Sequence, residues 1–244
     1  FVVLGGLTDG FLSLPYVHSL KERFRDFSVV QPLISSSYLM YGTSSLDQDA
    51  DDMHDLLKHL IVNGKKEIFV IGHSTGANIM IKYCQRQNSI NELKGVILQG
   101  AVSDRAYNQL SIPQFEELKQ LALKLCDEGK DEELLPRSSD IAPMSARRFL
   151  SFNTFGGDDD MFSFHDLDKN ILDSIYFNIK VPLVLVLSGQ DEYVPKTIDQ
   201  NVNILKALNY PCFRMAKLLS RSDHAISDLN SQEEFNVLIE EFIK

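Results

Sequence analysis

Ser74, Asp191 and His224 occur in that order along the 244-residue chain, each just past an apolar run. Together they could perform nucleophilic catalysis. A serine hydroxyl attacks poorly until a base takes its proton. The base in turn needs a carboxylate to fix its tautomer and stabilise the imidazolium. Ser74 lies in Gly72-His73-Ser74-Thr75-Gly76, a G-x-S-x-G match. Ile68 to Ile71 before it reads as a buried strand, and Ala77, Met80, Ile81 and Cys84 after it have helical spacing. A serine at such a sharp strand-to-helix turn has its hydroxyl pushed out above the sheet. The residues two before and two after it must be nearly free of side chain, and Gly72 and Gly76 meet that demand.

Rival residues fit less well. His18, His54 and His59 fall on helices, and the side chain of His73 should diverge from the hydroxyl. His165 is the one serious competitor for the base, but His224 follows the final strand in the required order. Glu192 adjoins Asp191 but would point elsewhere, and Asp223 is too near His224 in sequence to orient it easily.

The elements that must hold these residues read as strands alternating with helices. Phe1 to Leu4 is an apolar strand running into Gly5-Gly6-Leu7-Thr8-Asp9-Gly10. That loop is not G-x-G-x-x-G, so a dinucleotide site fits poorly; it is a plain turn, or a loop whose N–H groups can stabilise an oxyanion. Pro15 to Phe24 reads as a helix and Phe27 to Val30 as the next strand. Ser45 with Gln48 could make a capping box. The helix it opens has Leu46, Ala50, Met53 and Leu57 on one face and closes at Asn63-Gly64. Asp47, Asp49, Asp51, Asp52 and Asp55 read as solvated carboxylates around its start. Gly95 to Leu98 is a further strand. Such alternation means a parallel sheet covered on both faces.

Between Ala101 and Lys180 the pattern breaks for longer than a crossover needs. Helices are expected near Phe115 to Leu125 and from Ala142 to Phe152. The division expected is a core of residues 1–100 and 181–244 with a helical cap insertion at 101–180. Phe149, Phe152, Phe155, Met161, Phe162 and Phe164 should be shared between the core of the cap and an apolar pocket. The Asp158 to Asp160 loop reads as a solvated turn or helix cap; the spacing of an EF-hand is absent, and no metal is expected. Val181 to Leu187 is the clearest strand, followed by the Asp191 loop. A helix from Ile198 to Leu208, a strand from Cys212 to Leu218 and a helix from Phe235 to Ile243 complete the pattern.

The chain carries 34 acidic against 24 basic residues, a net charge of −10. That disfavours nucleic acid and gives no reason to expect an anionic membrane as partner. No apolar run reaches the length of a membrane span. Cys84, Cys126 and Cys212, without a C-x-x-C, read as reduced thiols and point to the cytoplasm. The chain opens mid-strand on Phe1, so the first strands of the fold, and any targeting segment, are expected upstream.

The ordered triple and the serine turn resemble the α/β-hydrolase superfamily. More narrowly, Gly5 to Gly10, Ser35 to Tyr38, Tyr41 to Leu46, Gly72 to Gly76, Gly157 to Phe162 and Ser188 to Pro195 resemble a fungal and plant family of largely uncharacterised hydrolases. That family includes the fungal siderophore esterase acting on fusarinine C. The resemblance implies an α/β-hydrolase fold and a serine esterase with Ser74, Asp191 and His224 as its triad. The backbone N–H groups of Leu7 and Thr75 would form the oxyanion hole. The resemblance does not transfer the substrate, because family members need not share one; a small-molecule ester is expected, a siderophore-type hydroxamate ester being one candidate, and no cofactor is required. The same scaffold could also serve as a non-catalytic binding protein, a thioesterase or a lyase. Oligomeric state is not readable.

Overall fold

The computed structural model describes residues 1–86 and 90–244. Five strands form one all-parallel sheet: β1 (Val2–Leu4), β2 (Ile68–His73), β3 (Leu93–Gln99), β4 (Leu183–Ser188) and β5 (Phe213–Leu219), in spatial order β1-β2-β3-β4-β5. β1, β2 and β4 are buried on both faces because both are covered, whereas the edge strand β5 carries exposed Arg214 and Lys217. Side chains alternate between two cores. Val2, Leu4, Val70, Val96 and Leu98 face α2 (Leu46–Val62) and α3 (Thr75–Gln85). Val3, Ile71, Ile97, Val184 and Val186 face α1 (Tyr16–Arg23) and the closing helix α9 (Leu229–Ile243).

The expected strand at Phe27 to Val30 is not a strand. It contributes one isolated parallel bridge, Val30 to Val2, with two backbone hydrogen bonds to β1. Pro32 follows two residues later, and a residue without an N–H cannot extend a ladder. The short contact still sets the topology. Val30 pairs with β1 on the side away from β2, so the chain leaves β1 in one direction and later strands add in the other. The crevice at such a reversal is where an open α/β sheet binds its ligand.

Ser45 caps α2 by accepting the Gln48 N–H at 3.1 Å, but the Gln48 amide turns to Asp52 and leaves the box half-made. Asp49 departs from the solvated reading. It is fully buried, hydrogen-bonded by Ser44, and burial lifts its carboxyl to about 6. Cys84 and Cys212 are buried, and burial holds both thiols protonated, near about 12 and about 11.

Residues 101–180 contain four helices: α4 (Asp104–Ser111), α5 (Phe115–Asp127), α6 (Ala146–Asn153) and α7 (Lys169–Tyr176). Phe115, Phe149 and Phe152 form a cluster of their own with Tyr41. Met161, Phe162, Phe164 and Tyr176 instead join the core of the sheet. Phe155 is half-exposed beneath the Arg105 guanidinium.

The Asp158 to Asp160 loop is not a solvated turn. Asp158 pairs with Lys82 at the surface, but the Asp159 and Asp160 side chains are fully buried. Asp159 pairs with the buried Arg148 of α6, while its carbonyl accepts from Asn78 of α3 at 2.6 Å. Asp160 pairs with Arg105 of α4 at 2.7 Å and accepts the Gly156 N–H. The loop thus ties α4 and α6 to the sheet. Removing one partner of a buried pair leaves the other charge uncompensated, at a cost of about 3–5 kcal/mol. Asp159→Ala should therefore lower the unfolding free energy by ~3–5 kcal/mol in urea titrations. A loss under ~1 kcal/mol, the range of an exposed pair, would mean that Arg148 finds other compensation.

Candidate active site

Ser74 joins β2 to α3 with φ 53° and ψ −125°, a left-handed conformation that a side-chain-bearing residue rarely adopts. The close approach expected of its neighbours is present. A Cβ on Gly72 would lie 2.5 Å from the Gly76 carbonyl, and one on Gly76 would lie 2.6 Å from the Leu4 carbonyl. Neither site has room for a larger residue.

Asp191 follows β4 and His224 follows β5, so both lie at the C-terminal end of the sheet, and His224 shares a cleft with Ser74. His224 Nδ1 lies 2.8 Å from Asp191 Oδ2, with the Asp191 side chain fully buried. A carboxylate accepts only, so Nδ1 donates and Nε2 is left with its lone pair. Burial lowers the pKa of His224, but the hydrogen bond and charge of Asp191, with Glu192 and Asp104, more than offset it and raise it above the usual histidine value. The other candidates are engaged elsewhere. His165 lies 3.5 Å from Asp166, and Glu192 accepts the His224 backbone N–H at 3.0 Å. Asp223 caps the following turn through the Ser227 N–H.

Spacing alone did not single out Gln99 or reveal the role of His73. Gln99 is a fully buried polar residue at the end of β3. Its amide nitrogen donates to the His224 carbonyl at 2.9 Å, and its oxygen faces His73 Nδ1 at 2.5 Å. That orientation makes His73 the donor, a neutral Nδ1–H tautomer. Burial and the neighbouring His224 agree with it, pushing the His73 pKa down to about 4. The two imidazoles meet edge to face, 4.7 Å between centroids. The available signal was a glutamine closing the apolar run Val96 to Leu98.

The glycine loop after β1 packs directly on Ser74: a Cβ on Gly6 would lie 2.6 Å from that of Ser74. Asp9 Oδ2 holds the loop by accepting the Gly6 N–H at 2.7 Å. The Leu7 N–H donates to no acceptor among the described residues. Thr75 is the first residue of α3, where N–H groups have no intrahelical acceptor. A helix N-terminus beside a free loop N–H suits a developing negative charge.

Ser74, His224 and Leu7 open onto a cleft of about 850 Å³. Its other walls are α4, the turn after it, the loop at 137–141, and Glu192 and Tyr193. None of the phenylalanines at 149–164 lines it, contrary to expectation. Four of them are buried in the two cores and Phe155 lies half-exposed beneath Arg105, while the cleft lining mixes polar groups with aliphatic and aromatic side chains.

A parallel sheet flanked by helices, with a strained serine between strand and helix at the point where strand order reverses, defines an α/β-hydrolase fold. A siderophore hydrolase, EstB, of Aspergillus fumigatus superposes with a TM-score of 0.80 at 23% identity, covering 99% of this chain and 88% of that one. An α/β-hydrolase-fold protein of unknown function superposes with a TM-score of 0.69 at 22% identity, covering 99% and 85%. The chain belongs to the DUF1749 family, described as proteins of unknown function, which it matches over residues 1–244. A UPF0613 protein of Schizosaccharomyces pombe is 31% identical over 81% of this chain and 69% of its own length. Fusarinine C esterase sidJ of Aspergillus fumigatus is 26% identical over 97% of this chain and 85% of its own. No helix among the described residues is long and apolar enough to cross a membrane.

Proposed function

We propose that this chain is a carboxylic-ester hydrolase working through an acyl-enzyme, with Ser74 as nucleophile, His224 as base and Asp191 as its orienting acid. The observation that carries the proposal is the 2.8 Å hydrogen bond from His224 to Asp191 beside a serine held in a left-handed turn, on one cleft. Ser74 Oγ attacks the ester carbonyl carbon while His224 Nε2 takes its proton. The N–H groups of Leu7 and Thr75 hold the oxyanion. The alcohol leaves with the proton from His224. A water, deprotonated by the same nitrogen, then cleaves the acyl–Ser74 bond and restores the hydroxyl.

Within residues 101–180, α4 and the loop at 137–141 form the cap that meets substrate. A relative named for fusarinine C and a structural neighbour named a siderophore hydrolase make siderophore-type hydroxamate esters the first substrates to screen, beside simple p-nitrophenyl esters. The mechanism itself is tested by a fluorophosphonate probe, which reacts only with an activated serine. Mass spectrometry should find the adduct on Ser74. An unlabelled protein, or an adduct on another serine, would remove the basis for the assignment.

A further inference from the structure

Helix α4 buries none of its side chains in a core. Its inward face, Asp104, Tyr107, Asn108 and Ser111, follows the i, i+3, i+4, i+7 spacing of one helical stripe and lines the cleft instead. A helix that spends its inner face on a cleft has that face available to ligand.

The cleft lining carries four carboxylates, Asp9, Asp104, Asp140 and Glu192, against one guanidinium, Arg137. Three of the four are already engaged. Asp9 accepts the Gly6 N–H, Asp140 accepts the Tyr41 hydroxyl and the Ala142 N–H, and Glu192 accepts the His224 N–H. Arg137 donates to the Ile141 carbonyl. Asp104 differs from all of these. Its carboxylate, partly buried, receives no hydrogen bond and no ion pair among the described residues. Burial first, and the charge of Asp159 next, push its carboxyl up to about 7. A carboxylate that faces the cleft with no partner from the chain is free to accept a donor that a ligand supplies.

Aromatic faces stand beside it. Tyr107, one turn along α4, meets Tyr193 edge to face at 5.1 Å between centroids, and Tyr193 in turn meets His224 at 4.7 Å. Tyrosine faces attract cations through the ring quadrupole. An ammonium group can therefore be met from two sides, by the free carboxylate and by the ring pair, close to the base.

We propose that Asp104, Tyr107 and Tyr193 form a subsite for an ammonium group carried by the substrate near its scissile ester. The proposal rests on the ester-hydrolase reading above. It names a charge class that neither the fold nor the family description supplies.

Two matched ester pairs test it. Nα-acetyl-lysine methyl ester against Nα-acetyl-norleucine methyl ester places the cation on the acyl side. Butyrylcholine against 3,3-dimethylbutyl butyrate places it on the alcohol side. In at least one pair the wild-type protein should favour the cationic member by about tenfold to a hundredfold in kcat/KM, the range for one charge-assisted contact with aromatic support. Asp104→Asn should cut that ratio at least about tenfold, and Tyr107→Leu should cut it less. The ratio is the readout, because a role confined to starting α4 or polarising His224 would slow both members alike. Equal rates within both pairs for the wild type, or a ratio unchanged by Asp104→Asn, would overturn the subsite. Fluorophosphonate labelling of the wild type separates the two levels. A labelled Ser74 with no cation preference sinks the subsite alone, whereas an unlabelled protein sinks the hydrolase reading beneath it.

Discussion

Ser74→Ala and His224→Ala should each reduce ester turnover by ~10⁶-fold, and the double variant should be hardly worse than either single one. The reason is mechanical. In the proposed mechanism Oγ carries the proton that His224 removes. Without the imidazole, the Ser74 hydroxyl in its left-handed turn is an ordinary alcohol facing a cleft. Each variant removes the same step, so the second removal finds little left to lose. What survives is the rate from the oxyanion donors and from binding, which neither substitution touches. Single-turnover assays on one p-nitrophenyl ester would give all four corners of the cycle. Losses that multiply would mean that the two residues act in separate steps, and the acyl-enzyme scheme would fall.

Much of the geometry of the candidate site was legible because its parts are local. A G-x-S-x-G between an apolar strand and an amphipathic helix fixes a turn by steric demand at Gly72 and Gly76. Asp191 and His224 needed only their places after strands. What was not legible depended on partners far apart in sequence. Asp49 sits on a helix start that looks solvated, and its burial comes from the chain packed around it. Asp159 and Asp160 look like a hydrated acidic turn until Arg148 and Arg105 arrive from other helices. Gln99 reads as the polar end of a strand, and only the fold brings His73 and His224 to its two amide atoms. The strand expected at Phe27 to Val30 failed for a local reason that could have been weighed, the proline two residues on. The phenylalanine-rich stretch misled in a different way. Large apolar side chains suit a core as well as a pocket, and composition does not distinguish the two.

Adjacent carboxylates give the sharpest remaining contrast. Asp191→Asn should cost about 10⁴-fold in kcat, whereas Glu192→Gln should be mild. Asp191 Oδ2 accepts from His224 Nδ1 at 2.8 Å, which leaves Nε2 with its lone pair, the atom that takes the serine proton in the proposed mechanism. An asparagine can turn its NH₂ toward Nδ1 and so favour the tautomer protonated at Nε2, which cannot act as base. Glu192 touches only the backbone N–H of His224, at 3.0 Å, and a glutamine carbonyl accepts that bond equally well. Its charge still matters to the pH profile. In the proposed mechanism the base works as neutral imidazole, so kcat/KM should rise with pH through the pKa of His224, which lies above the usual value. Asp191, Glu192 and Asp104 all favour the imidazolium, whereas burial opposes it. Removing the Glu192 charge takes away one of the raising influences. The acid limb should move to lower pH, and the variant should keep a larger fraction of its maximal rate at pH ~6 than the wild type does. A mild Asp191→Asn beside a severe Glu192→Gln would transfer the acid role to Glu192, and an acid limb that stays in place would remove His224 as the titrating base.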